Sequence, residues 1–189
     1  SGLKYNTVDE NIFSNTKIRN ALLVTLGGED PNNLTLTILK KIRKYFVSKK
    51  IYVIIGPFHP NKQSIYKYVR ESLNDCELVD SPTSLAPYYE KCDLAITACG
   101  TTIYELMASG IAFGYFVIEK HQESFADFLN KKNLGYFLGN FNNNLNEISE
   151  RLSGFSNSNV KNSILIYKNF IKFSGLDNIS DRILKLIKY

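Results

Sequence analysis

Side chains that usually announce chemistry are scarce in this sequence. It has three cysteines, Cys76, Cys92 and Cys99, and two histidines, His59 and His121. An odd cysteine count without C-x-x-C or Cys/His metal spacing supports neither a disulfide framework nor a metal site, and a reducing, cytoplasmic setting is the default expectation. Nowhere do about 18 consecutive apolar residues occur, which excludes an ordinary membrane-spanning helix. The first 20 residues lack the apolar core of a signal peptide. The chain opens Ser-Gly without an initiator Met, which reads as the remnant of a tag on a piece excised from something larger. No Ser/His/Asp or Cys/His set has catalytic spacing, no acid pair stands out for glycoside chemistry, and no cofactor is implied.

What is present suits one folded domain: 189 residues, 44% of them hydrophobic. Lysine and arginine number 23 against 18 acids, a net charge of +5. The lysines are dispersed (Lys40, Lys41, Lys44, Lys49, Lys50, then Lys161, Lys168, Lys172, Lys185 and Lys188) and are expected on solvated helix faces. Basic and aromatic residues are not interleaved on one surface, which argues against a nucleic-acid partner.

Residues 1–20 are polar and read as a lead-in, with 21–189 as the folded domain. The run Ala21-Leu22-Leu23-Val24-Thr25-Leu26 has the pattern of a strand buried on both faces, cut by Gly27-Gly28, and Asp30-Pro31 are helix-start signals. Helical periodicity over 33–46 is followed by a strand at 51–55, a helix at 63–73, a strand at 77–79 and a short helix at 85–90. Strands at 94–97, 112–117 and 136–138 then alternate with helices at 100–109 and 122–131. Helices alone follow, starting near Leu145, Val160 and Ser180, with a loop at the Asn-rich stretch 140–144. Such alternation predicts an α/β, Rossmann-like open parallel sheet of about six strands with helices on both faces. Ligands then bind outside the carboxyl ends of the strands, in the turns after Leu26, Ile55, Val79, Thr97 and Val117.

The most informative of these turns is Ala98-Cys99-Gly100-Thr101-Thr102. Small residues admit a ligand to the backbone, and the helix start favours a phosphate or diphosphate. An equal alternative is a T-x-x-E capping box from Thr102 to Glu105. If Glu105 instead faces the site, its carboxylate suits the vicinal hydroxyls of a ribose; one side chain cannot do both. Gly27 and Gly28 form a second glycine turn without dinucleotide or P-loop spacing, so it reads first as a turn with Asp30 capping a helix, and second as a close approach to sugar or phosphate. His121, Gln122 and Glu123 place three polar groups at the same sheet edge, either to fix sugar hydroxyls or as an exposed helix cap. His59, in the turn Gly56-Pro57-Phe58-His59-Pro60, is expected on the surface.

Three strings carry a family likeness: LLVTLGGEDPNNLT (22–35), CDLAITACGTTIYELMASG (92–110) and HQES (121–124). They resemble the UDP-sugar hydrolase of pseudaminic acid biosynthesis and its spore-coat polysaccharide relatives, and more distantly the C-terminal domain of the peptidoglycan UDP-GlcNAc transferase. The resemblance runs from Gly2-Leu3-Lys4-Tyr5, similar to the family's interdomain segment, to Gly175-Leu176-Asp177. It implies the C-terminal half of a GT-B fold that binds a UDP-sugar and works with an N-terminal domain absent from this chain, where the histidine base of the hydrolase would lie. By that resemblance Gly100, Thr101 and Thr102 contact the diphosphate and Glu105 the ribose. The backbone at Leu78, Val79 and Asp80 receives the uracil, and His121, Gln122 and Glu123 approach the sugar. Two departures stand out: Glu29 occupies a place where relatives often have a small hydroxyl residue, and Cys99 replaces a common small residue. The implied activity is hydrolysis of a UDP-linked amino sugar, with a glycosyltransferase donor domain or a non-catalytic nucleotide-binding module as alternatives.

Overall fold

The computed structural model describes residues 19–140, except 31, together with 145–167, 169 and 170. The expected lead-in, most of the Asn-rich loop and the helix near Ser180 therefore lie outside the described residues, as do Pro31, Lys168, Lys172, Lys185 and Lys188. Six strands, β1 (Ala21–Thr25), β2 (Lys50–Ile55), β3 (Cys76–Asp80), β4 (Cys92–Ala98), β5 (Ala112–Val117) and β6 (Tyr136–Asn140), make one sheet in the order β3-β2-β1-β4-β5-β6. Every pairing is parallel. The connecting helices are α1 (Leu34–Ile42), α2 (Lys62–Ser72), the short α3 (Ala86–Tyr89), α4 (Thr102–Ala108) and α5 (Glu123–Lys131); α6 (Leu145–Asn157) and α7 (Ile164–Tyr167) follow the last strand.

Strand periodicity explains the layering, because alternate side chains of β1 leave on opposite faces. Leu22, Val24 and Leu26 join one core with Leu34, Ile38, Leu39 and Ile42 of α1 and Ile148 and Leu152 of α6. Ala21 and Leu23 join the other with Ile103, Leu106 and Met107 of α4 and Leu129 of α5. Each fully buried Leu or Ile contributes roughly 1.5–3 kcal/mol relative to exposure, so both faces of the central strand are energetically committed.

Two details depart from expectation. Lys49 and Lys50 are not on a helix: Lys49 precedes β2 and, only 14% exposed, its ammonium lies 2.6 Å from Asp93 Oδ1, while Lys161 donates to Asp93 Oδ2 at 2.7 Å. One half-buried carboxylate thus ties the starts of β2 and β4 to the segment before α7. Asn140, placed in a loop by composition, closes β6 opposite Val117. Among the described residues no helix is long and apolar enough to cross a membrane.

The chain builds outward from β1 to β2 and β3, then returns to lay β4 on the other edge of β1. At that reversal the loops leaving the two strands diverge, and a crevice opens between their carboxyl ends.

Candidate functional site

The first wall of the crevice is the turn after β1. Gly27 has φ +99°, in the left-handed region that favours glycine, and Asp30, at φ 45°, folds its carboxylate back under the turn. Its two oxygens accept the amides of Leu34 (2.9 Å) and Thr35 (2.8 Å), so it caps α1 as the sequence suggested. The same carboxylate lies 3.2 Å from His59 Nε2. His59 Nδ1 accepts the amide of Asn61 at 3.1 Å, which places the ring proton on Nε2, donated to Asp30. The expectation of a surface histidine is thus wrong: His59 is 6% exposed.

Burial of His59 follows from how closely the second wall, the turn after β2, approaches the first. The Phe58 amide donates to the Gly28 carbonyl at 3.2 Å, and a Cβ on Gly56 would stand 2.3 Å from Gly28 Cα. Glycine is required at 56 for that contact. One consequence is that Phe58 is pushed outward and is 76% exposed.

The third wall is the start of α4. The Cys99 amide is taken by the Phe116 carbonyl (2.7 Å) and the Gly100 amide by the Ala98 carbonyl (2.8 Å). The amides of Thr101 and Thr102 have no hydrogen-bond partner among the described residues, so the available donors lie one residue later than the glycine. The capping box does not form: no side chain caps α4, and Glu105 Oε2 accepts the hydroxyl of buried Tyr89 at 2.6 Å. Glu105 is thereby steered away from its own helix start by a residue of α3. Cys99 is 2% exposed; burial pushes its thiol up to about 11, and Sγ lies 3.8 Å from the Gln122 carbonyl. It is a packing residue rather than a nucleophile.

The fourth wall follows β5. Glu119 and Gln122 form a reciprocal capping box around a 3-10 turn, with Gln122 Oε1 accepting the amides of Ile118 (2.8 Å) and Glu119 (3.3 Å). His121 is exposed and is not the cap, and Glu123 begins α5 with an exposed side chain.

A cavity of about 310 Å³ lies over the β1/β4 reversal, lined by residues of the first, second and fourth walls and by Ala98, just before the third. Gly28, Glu29 and Asp30 line one side, Phe58 another, Ala98 the base, and Glu119 with Gln122 the far side. Of the residues singled out from sequence, Gly28, Ala98 and Gln122 meet here. Gly27, His121 and Glu123 do not line it, and Cys99, Gly100, Thr101, Thr102 and Glu105 belong to the adjoining helix start. Leu78, Val79 and Asp80 sit on edge strand β3, two strands removed from β4 by β2 and β1, about 14 Å at the usual strand spacing. The Asp80 carboxylate is occupied by Lys62 (2.6 Å), Ser81 (2.6 Å) and Tyr66 (3.1 Å), and the Lys62 ammonium holds it below the usual carboxylate range. What β3 offers a ligand is backbone on an edge that is unpaired among the described residues.

Phe58, Tyr89 and Glu119 were missed from sequence. Only Glu119 had a legible signal, the E-x-x-Q capping pattern with Gln122.

Residues 21–162 match the sequence profile of the glycosyltransferase family 28 C-terminal domain. In sequence the chain is 27% identical over 121 residues to the uncharacterized protein MJ1062 of Methanocaldococcus jannaschii, covering 62% of this chain and 25% of that protein. In structure it is similar to MurG of Acinetobacter baumannii (TM-score 0.70, 12% identity, 96% of this chain and 55% of that one). It is also similar to TarM of S. aureus solved in complex with UDP among other ligands (TM-score 0.65, 17% identity, 93% and 37%). The chain thus spans about half of the MurG chain and a quarter of MJ1062. At these identities the structural likeness speaks for the fold, a six-stranded parallel Rossmann-like sheet of the GT-B C-terminal type.

Proposed function

The chain belongs to the glycosyltransferase family 28 C-terminal domain family, and on that premise we propose that it is the UDP-sugar-holding half of a two-domain enzyme of surface polysaccharide or nonulosonic acid biosynthesis. The observation that carries the reading is the cavity at the strand-order reversal, lined by Ala98 at the end of β4, three residues before the helix start whose Thr101 and Thr102 amides have no partner among the described residues. The diphosphate lies over those amides and the two threonine hydroxyls. The ribose hydroxyls meet Glu105, held in place by Tyr89, and the uracil takes the backbone at Leu78, Val79 and Asp80 on the outer strand of the sheet. The sugar enters the cavity beside Gly28 and Gln122.

In this arrangement the C-terminal half contributes affinity and stabilises the departing UDP through fixed amide dipoles, while a general base from the N-terminal half activates the acceptor. Family membership favours glycosyl transfer. Hydrolysis of a UDP-linked amino sugar, as in pseudaminic acid biosynthesis, differs only in that water is the acceptor, and both use the same donor half.

Calorimetric titration tests the reading. UDP and UDP-GlcNAc should bind the 189-residue chain, and Glu105→Ala should weaken UDP by about tenfold, the worth of one hydrogen bond to a charged group. Absence of UDP binding at millimolar ligand, with stable self-association of the chain, would instead favour an assembly module.

A further inference from the structure

Resting on that reading, we infer that Phe58, Glu29 and Glu119 form a sugar-selecting subsite that accepts an uncharged or amino-bearing sugar and rejects one carrying a carboxylate. The chain has a net charge of +5, yet among the described residues the side chains lining the cavity include three acids and no lysine, arginine or histidine. Asp30 is committed beneath the turn to α1 and His59, so it adds little to what a ligand meets. Glu29 is exposed and has neither a hydrogen-bond nor an ion-pair partner among the described residues. Across the cavity Glu119 is held at the rim by its capping box. Lys120 and His121 follow it but do not line the cavity.

Both glutamates line the same cavity of about 310 Å³, so a carboxylate held in it meets two like charges, an effect that is strongest at low salt. A hydroxyl can donate to either one, and an ammonium gains from both. Phe58 supplies what acids cannot. Its ring is largely exposed at the rim, and the turn that presents it is pinned by the Phe58 amide on Gly28. An aromatic face presented from a pinned backbone turn beside a polar wall suits a pyranose, which has one face rich in C–H and hydroxyls around its edge.

The test compares UDP, UDP-glucose and UDP-glucuronate, which differ in the last pair only by a carboxylate at C6, by calorimetric titration at low salt. Each UDP-sugar affinity is divided by that of UDP in the same variant. The wild-type chain should bind UDP-glucuronate about fivefold to tenfold more weakly than UDP-glucose, the effect expected of like charges at a half-solvated rim. Glu29→Gln, and separately Glu119→Gln, which keeps an acceptor for the cap, should each shrink that ratio by about threefold. Phe58→Ala should weaken both UDP-sugars together and leave their ratio unchanged. Equal binding of the two sugars by the wild-type chain, or a ratio that neither glutamine variant moves, overturns the inference while leaving the nucleotide reading in place. Failure of UDP itself to bind overturns both.

Discussion

Removing the Asp30 carboxylate should damage the molecule more than any other single change at the site. Asp30→Ala deletes the acceptor of three buried donors at once: the amides of Leu34 and Thr35 and Nε2 of His59, at 2.9, 2.8 and 3.2 Å. Hydrogen bonds to a charged group contribute about 1.5–3 kcal/mol each, and donors left buried without an acceptor carry the full cost. Relief of the carboxylate's own desolvation offsets part of the sum. Alanine at φ 45° adds about 1 kcal/mol of backbone strain. The expected net loss is ~4 kcal/mol, which for a domain of this size lowers the melting temperature by about 8–16 °C. His59→Ala should cost about 2–3 kcal/mol through the same contact and the space it vacates. Because both variants break the His59–Asp30 bond, the double variant should fall short of additivity by about 1–2 kcal/mol. Urea denaturation followed by circular dichroism measures all three. An Asp30→Ala loss below about 1.5 kcal/mol, or additivity within about 0.5 kcal/mol, would refute the claim that this buried pair clamps the turns after β1 and β2 together.

Two further outcomes follow from packing and burial. Gly56→Ala places a methyl 2.3 Å from the Gly28 backbone, which has no flexible side chain to yield, so the turns must part. Stability should fall by about 1–3 kcal/mol in the same denaturation assay, and unaltered stability would contradict the close contact of the two turns. Burial holds the thiols of Cys76 and Cys99 up to about 11 and that of Cys92 up to about 12, above their unfolded value near 9.0. The folded state therefore grips these protons more tightly than the unfolded chain, so their contribution is intact below pH 9 and is lost as pH rises towards 11 and beyond. The urea midpoint should decline between pH 8.5 and pH 10.5, with Cys92→Ala flattening the slope; equal slopes in variant and parent would contradict this.

Much of the architecture was readable along the chain because it depends on short-range pattern. The run from Ala21 to Leu26 announced a strand buried on both faces, Asp30 announced a helix cap, and the alternation through 138 announced a parallel sheet. These are properties of neighbours within a few residues, and backbone geometry converts them directly into elements. Strand ends were less legible: β4 starts at Cys92 and β6 reaches Asn140, since pairing partners rather than composition decide where a ladder stops.

Side-chain assignments at the site depended on residues far apart in sequence. His59 looked like a surface residue of a proline-rich turn until Gly28, 28 positions earlier than Gly56, let the two turns close over it. Glu105 had two equally good local readings, and neither involved Tyr89, 16 positions upstream, which orients it. Phe58 has no periodic or motif signature, and Glu29 stood out only as a departure from the family pattern; they matter because they line the same cavity. Local pattern thus specified the sheet, its helices and the strand ends where a ligand belongs. The cavity, its acid lining and its aromatic rim arose only when β4 crossed back to β1, because that reversal brings together loops that the chain keeps scores of residues apart.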